Sequence, residues 1–484
     1  MSHSLRPILY TIGIMVSVLS AAMFLPAGVD AAAGATTSAQ AFFMSAIVGL
    51  SGGVLLALVT RTPLSELSAR GAFVLTVGSW LALSLVAALP LRLAGEGLGW
   101  TDALFESVSG LTTTGSTILT GLDTRPPGLL LWRAILQWIG GIGLIVTAMA
   151  FWPTLGIGGM QLFRLESSDN SDKVLTRARE LATAISLIYL VLTAACMFAY
   201  LFAGLSWLDA IAHAMTTVAT GGYSTSDQSL GAFMGQGADL VALVFMVLAA
   251  LPFGVYLMAS RGRFGGFWRD AQIRAFLFLI IAVSIILAWV LAATGVHGDL
   301  PAWRVASFNA VSIITGTGFA TTDYAAWGAG AEALFFIFMF IGGCAGSTTC
   351  SVKIFRYQIA GAALRKYMAG LLRPNAITPM RYNGRPVPVS ALHGVLGFFF
   401  VFFAIFVFSA ILLSTLGLDT VTALSGAATS LANVGPGLGD IIGPSGTFQP
   451  LSDPAKWVLT ANMFIGRLEI LTVLVMLTPR FWRG

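Results

Sequence analysis

Charge is scarce in this sequence. Only 10% of its 484 residues are Asp, Glu, Lys or Arg, where a soluble domain carries roughly a quarter, so the chain lacks the polar surface that water would demand. Cysteine is nearly absent as well. Cys196, Cys344 and Cys350 are an odd three, each in or beside an apolar run, which excludes a disulfide framework and a thiolate metal site. Histidine occurs four times, and no acidic pair or His-Glu motif stands inside an apolar run, which removes the groupings an intramembrane enzyme needs. No strand, glycine loop and helix are arranged as a dinucleotide fold, so no nucleotide is expected on this chain itself. The formal net charge of +5 is dispersed over short loops, and without a basic face no nucleic-acid partner is expected.

What is abundant is hydrophobic sequence, 57% of the chain. A helix needs about 20 mostly apolar residues to cross a bilayer. Runs of that kind lie at 8–26, 41–59, 71–91, 129–152, 183–204, 238–259, 275–294, 333–354, 391–416 and 457–478. Arg6, the apolar run after it and Ala31-Ala32-Ala33 have the outline of a cleaved signal peptide, although an uncleaved first helix suits the topology equally well. Lys and Arg are retained in the cytoplasm. Placing twenty of the 26 Lys and Arg inside, among them Arg61, Arg70, Arg177, Arg263, Arg365 and Arg480, leaves only Arg92, Arg125, Arg133, Arg304 and Lys456 outside, with Arg467 on neither side, so both termini are expected in the cytoplasm. Asp102, Glu106, Asp209, Asp227, Asp323 and Asp419 then fall on the outer side, as a vestibule attractive to cations.

Between the spans lies a repeat. Trp100-Thr-Asp102 leads to Thr113-Thr114-Gly115, Trp207-Leu-Asp209 to Thr220-Gly221-Gly222, and Trp303 to Gly316-Thr317-Gly318, with the Trp fifteen residues before the last glycine each time. A fourth copy runs from Leu418-Asp419 to Asn433-Val434-Gly435, with a lead-in that keeps neither the Trp nor that spacing. Each copy reads as a helix too short to span, followed by a glycine loop. Non-helical backbone at membrane depth survives only where protein buries it or where it lines a watery cavity. Four such loops on one axis present rings of carbonyl oxygens that replace the water around a cation. The loops hold no Asp or Glu, and neutral oxygens suit a monovalent alkali ion better than a divalent one.

These repeats resemble the Trk/Ktr superfamily of potassium transporters, in its bacterial TrkH and TrkG branch. The resemblance covers nearly the whole chain and rests on Phe105-Glu106-Ser-Val-Ser-Gly-Leu-Thr-Thr-Thr-Gly115, Gln137-Trp-Ile-Gly-Gly-Ile-Gly143, Gly342-Gly343-Cys-Ala-Gly346-Ser347-Thr348, Asn433-Val-Gly-Pro-Gly-Leu-Gly439 and Ala461-Asn-Met-Phe-Ile-Gly-Arg467-Leu-Glu469. It implies an all-α polytopic membrane protein with four pseudo-symmetric membrane-pore-membrane repeats around one pore. An extra helix pair (1–62) precedes repeats at 63–165, 166–262, 263–372 and 373–484. The implied activity is potassium uptake across the bacterial inner membrane, with potassium held by backbone carbonyls of the four loops. The implied partners are a second copy of the chain and a cytosolic TrkA-like nucleotide-binding ring. The basic stretch from Lys353 to Arg385 is a cytoplasmic face where that ring or anionic membrane lipid can dock.

Two features suggest gating. Residues 341–351 carry three glycines within five positions, each costing a helix about 1 kcal/mol relative to alanine, so the eighth run should break there. In the family this stretch is a loop beneath the filter. Here Thr349, Cys350 and Ser351 replace its usual later glycines. Arg467 sits within the last run, where a charge needs a partner or water, and the resemblance puts it in the pathway as an electrostatic barrier. A salt bridge to a carboxylate from another segment is the competing reading. The rival to the whole scheme is a sodium- or proton-coupled secondary cation carrier, whose broken helices bind substrate at the midplane.

Overall fold

The computed structural model describes residues 2–62, 68–95, 97–150, 171–295, 300–373 and 379–483. The boundary expected between residues 165 and 166 lies outside them, and the one at 62/63 falls at their edge. The first two helices, Ser2–Ala22 with its continuation Phe24–Ala32 and Thr36–Val59, form the extra pair. They pack against each other and against Ala69–Leu93, the first helix of repeat 1. Asp30 fastens the pair to the pore domain. Its buried carboxylate accepts from Ser38 Oγ at 2.6 Å and from the backbone N–H of Gly128, and so caps Pro127–Ala150 from a different part of the chain.

Each repeat places a short helix between a long apolar helix and a second apolar segment that is continuous in the first repeat and broken in the other three. These pore helices are Trp100–Leu111, Trp207–Val218, Ala302–Ile314 and Thr420–Ala432. The fourth corrects the expectation of an irregular lead-in: Thr420 begins its helix fifteen residues before Gly435, where Trp100 and Trp207 begin theirs. The spacing is kept, and a cap replaces the Trp. Asp419 accepts from the backbone N–H groups of Val421 and Thr422, at 3.1 Å each, and the Thr422 side chain first, then these backbone groups, hold its carboxyl below the usual carboxylate value.

Three of the expected runs are not single helices. Run 238–259 is Ala238–Ala249 followed by Phe253–Ser260, interrupted before Pro252. Run 333–354 is Ala329–Phe338 followed, after a non-helical stretch, by Ile354–Leu372. Run 457–478 bends by 108° between Asp453–Arg467 and Ile470–Leu477, and Glu469 at the corner has φ 59°. Hydropathy reads through all three breaks, because the breaking residues of the first two are mostly small or apolar and the apolar helix Ile470–Leu477 outweighs the single Glu469 at the third.

Candidate functional site

All four pore helices end in the same way. The backbone N–H groups of Thr114, Gly221, Thr317 and Val434 donate to the carbonyl five residues earlier, on Ser109, Thr216, Ser312 and Thr429, at 2.8–3.0 Å. That closing bond requires the preceding residue to adopt a left-handed conformation. Thr113, Thr220, Gly316 and Asn433 do so, with φ of 51°, 51°, 68° and 53°. Two residues on, Gly115, Gly222, Gly318 and Gly435 are left-handed again, with φ from 79° to 114°. Left-handed backbone is costly for threonine and cheap for glycine and asparagine. Burial of Thr113 and Thr220 among helix ends holds them there.

The loops meet one another in a closed ring. A side chain on Gly115 would fall on the Gly221 carbonyl oxygen, one on Gly222 on that of Thr317, one on Gly318 on that of Val434, and one on Gly435 on that of Thr114. Loop 1 touches loop 2, loop 2 touches loop 3, loop 3 touches loop 4, and loop 4 returns to loop 1. The structure thus brings together all twelve residues expected at the site: Thr113, Thr114, Gly115, Thr220, Gly221, Gly222, Gly316, Thr317, Gly318, Asn433, Val434 and Gly435.

Side chains brace the ring from behind. Ser109 and Ser312 donate to the carbonyls of Ser116 and Phe319, each seven residues on, at 2.6 and 2.7 Å. Asn433 Nδ2 donates to Thr114 Oγ1 at 2.8 Å and to the Met463 carbonyl at 2.9 Å. A larger network joins loops 1 and 2. Glu106, fully buried on the first pore helix, accepts from Arg133 Nε at 2.8 Å and from the Ile118 N–H at 2.9 Å. Arg133 also donates to the Ser224 carbonyl at 2.9 Å and lies 4.0 Å over the Tyr223 ring. His213 bridges the Asp209 carbonyl and Ser224 Oγ behind loop 2.

The acids expected on the outer side are engaged in structure more than in a vestibule. Asp102 pairs with Lys456 of repeat 4 at 2.7 Å, and Glu106 with Arg133. Asp323 and Asp419 cap helices, and Asp227 accepts from the N–H groups of Gly121 and Leu122. Sequence reasoning missed Asp239, which takes both oxygens to Arg304 at 2.7 Å and clamps repeat 2 to repeat 3. Among the described residues no three His, Cys, Asp or Glu side chains converge as a metal site.

Beneath the ring lies the stretch from 341 to 351. A parallel bridge between Ile341 and Val352 closes it, with Gly342 N–H donating to the Val352 carbonyl at 2.9 Å. The loop docks onto the broken helix of repeat 2. Cys344 N–H donates to Ala250 at 3.1 Å, and Phe253 N–H to Gly346 at 2.9 Å, so two breaks satisfy each other's backbone at a depth where water cannot. Gly343 lies against Ala250 and Thr349, Gly346 has φ 75°, and Ser347 and Thr348 are buried, Ser347 Oγ donating to Cys344 and Thr348 Oγ1 to Ala249. Cys350 rises closest to the ring, its Sγ 3.8 Å from Thr113 Oγ1.

Arg467 is 2% exposed and reaches the same place from repeat 4. Its guanidinium donates to the carbonyls of Gly140 at 3.0 Å and Thr348 at 3.5 Å and to Cys350 Sγ. Among the described residues it pairs with no carboxylate. Glu469 instead takes Arg356, at 2.7 Å.

A ring of four glycine loops, each on its own re-entrant helix inside a polytopic helical bundle, defines a pore-loop membrane transport protein. Its relatives narrow this. Residues 38–483 match the family described as "TrkH: Cation transport protein", and the chain belongs to that family. It is 46% identical over 99% of its length to the Trk system potassium uptake protein TrkI of Halomonas elongata, covering 97% of that protein. It is 37% identical to the Trk system potassium uptake protein TrkH of Escherichia coli K12, over 99% of both chains. The crystal structure of the potassium transporter TrkH from Vibrio parahaemolyticus superposes with a TM-score of 0.90 at 36% identity, over 99% of each chain.

Proposed function

We propose that this chain takes up potassium across the bacterial inner membrane, with both termini in the cytoplasm. The ion is stripped of water and held by main-chain oxygens of the four loops, chiefly those of Thr113, Thr114, Thr220, Gly221, Gly316, Thr317, Asn433 and Val434. One observation carries this reading: left-handed residues recur at the same two positions in every loop, and the loops touch in a closed cycle. A carbonyl ring replaces hydration only if all its members face one axis, and a cyclic order of contacts is what such an axis requires. The names of the relatives, potassium uptake proteins of Trk systems, supply the ion.

Gating belongs to the same proposal. The loop 341–351 and Arg467 lie under the ring, and the ion leaves on the cytoplasmic side only when they give way. The working unit is a homodimer with one pore in each protomer, controlled by a cytosolic TrkA-like nucleotide-binding ring. That part rests on family resemblance alone.

The test is growth of a potassium-uptake-deficient bacterium on limiting potassium. The wild-type chain restores growth. Gly222→Ser, which puts a side chain on the Thr317 carbonyl at φ 79°, does not, although it reaches the membrane. Rescue by both alike, or by neither, sinks the reading.

A further inference from the structure

At the second position of the loops stand Thr114, Gly221, Thr317 and Val434, so loop 2 alone lacks a side chain there. Its backbone does not explain the glycine. Unlike Gly222, Gly221 is outside the left-handed region, and an L side chain suits its conformation. Space is what it lacks. The three atoms nearest to a Cβ on Gly221 are Cδ, Oε1 and Nε2 of Gln137, which enters from the second helix of repeat 1, fully buried.

Gln137 thus fills the place of the missing side chain, and does so with a polar group. Its Nε2 donates to the Gly221 carbonyl at 2.7 Å, and its Oε1 accepts from the Tyr223 N–H at 3.1 Å. Only this orientation of the amide satisfies both partners, since a carbonyl cannot donate and an N–H cannot accept. Among the described residues no hydrogen bond reaches the carbonyl oxygens of Thr114, Thr317 or Val434. One oxygen in four at this level therefore shares its electron density with an amide donor. Cavity size and the number and field strength of the carbonyl dipoles are the two properties of a filter that bear on separating potassium from smaller, more tightly hydrated sodium.

We propose that Gln137 is a specificity-determining residue of the filter: a side chain lent by the neighbouring repeat that aims and weakens the Gly221 carbonyl and thereby sets discrimination between potassium and sodium. The inference rests on the reading of the four loops as a potassium filter. Gln137 does not touch the ion; it acts through Gly221.

The experiment measures potassium and sodium flux separately in liposomes holding the purified full chain. Gln137→Leu keeps the bulk and loses both hydrogen bonds. The potassium-to-sodium flux ratio should fall about five- to tenfold, the worth of one buried hydrogen bond, while total flux persists. Gln137→Met is the second variant should leucine prevent folding; its thioether is a weak acceptor for Tyr223 and cannot donate to Gly221, and the ratio should fall again. The decisive variant is Gln137→Ala with Gly221→Thr, which refills the space from the loop itself, as in loops 1 and 3, without restoring the amide donor, so its ratio should stay as low as that of Gln137→Ala. A wild-type ratio in Gln137→Leu or Gln137→Met, or a double variant that regains the wild-type ratio with no donor to Gly221, overturns the inference while leaving potassium transport standing. A wild-type chain that carries no potassium overturns the transport reading, and this inference with it.

Discussion

Glu106 and Arg133 meet at 2.8 Å with almost no exposure of either side chain. The pair spans the back of loops 1 and 2, because Glu106 holds the Ile118 N–H and Arg133 holds the Ser224 carbonyl. Removing one partner of such a pair strands the other as a buried charge, which costs about 3–5 kcal/mol. Glu106→Gln should therefore lower the thermal midpoint of the detergent-solubilised protein markedly and reduce potassium flux with it. Replacing both residues by glutamine should recover part of the midpoint, since no naked charge remains. An unchanged midpoint in the single variant would show that water reaches Arg133.

The pair also shows where sequence reading stops. The Trp-to-glycine spacing announces a helix of fixed length and a loop, because both are local. Glu106 lies within the motif that ends at Gly115, yet nothing in its neighbourhood names Arg133 as its partner, let alone Ser224 as the next partner of Arg133. The last run is harder still. Ile470–Leu477 is so apolar that the bend at Glu469 leaves no trace in hydropathy, and the carboxylate's partner, Arg356, is 113 residues away. Thr113 and Thr220 are not residues from which a left-handed turn is foretold. Asn433 and Gly316 at the corresponding positions are, and a comparison among the four loops carries that signal where one loop does not.

Arg356 and Glu469 tie the helix after the intramembrane loop to the corner of the last span. Arg356 also lies 3.6 Å over the Phe398 ring, so its charge is held from two sides. Glu469→Gln should destabilise the protein by about 3 kcal/mol and, by loosening the corner that carries Arg467, raise basal flux. Thermal unfolding and liposome flux measured on the same preparation check this; loss of stability with unaltered flux per folded protein would confine the pair to packing.

Asp30 offers a contrasting case. Its hydrogen bonds are a cap on Pro127–Ala150 and the Ser38 hydroxyl, neither of which belongs to the ring. Asp30→Ala removes an N-terminal cap, worth about 0.5–2 kcal/mol. The thermal midpoint should fall modestly while the potassium-to-sodium ratio stays at its wild-type value. A changed ratio would mean that the extra helix pair sets the position of loop 1.

Arg467 presents two separable effects, charge and hydrogen bonding. Its guanidinium lies beside Cys350, which in turn approaches Thr113 of the ring, and in the proposed pathway its charge would oppose a cation in transit. It also fastens the loop by donating to Thr348 and Cys350, and joins repeat 4 to repeat 1 through Gly140. Arg467→Ala removes both, and potassium flux should rise; a tenfold rise corresponds to a barrier lower by about 1.4 kcal/mol. Arg467→Lys keeps the charge but not the planar fork that reaches several acceptors at once. If the charge is the barrier, the lysine variant stays near the wild-type rate. If the fastening dominates, lysine behaves as alanine does, because the loop is released in both. Flux that is unchanged in the alanine variant, with less folded protein, would leave the arginine a purely structural tie.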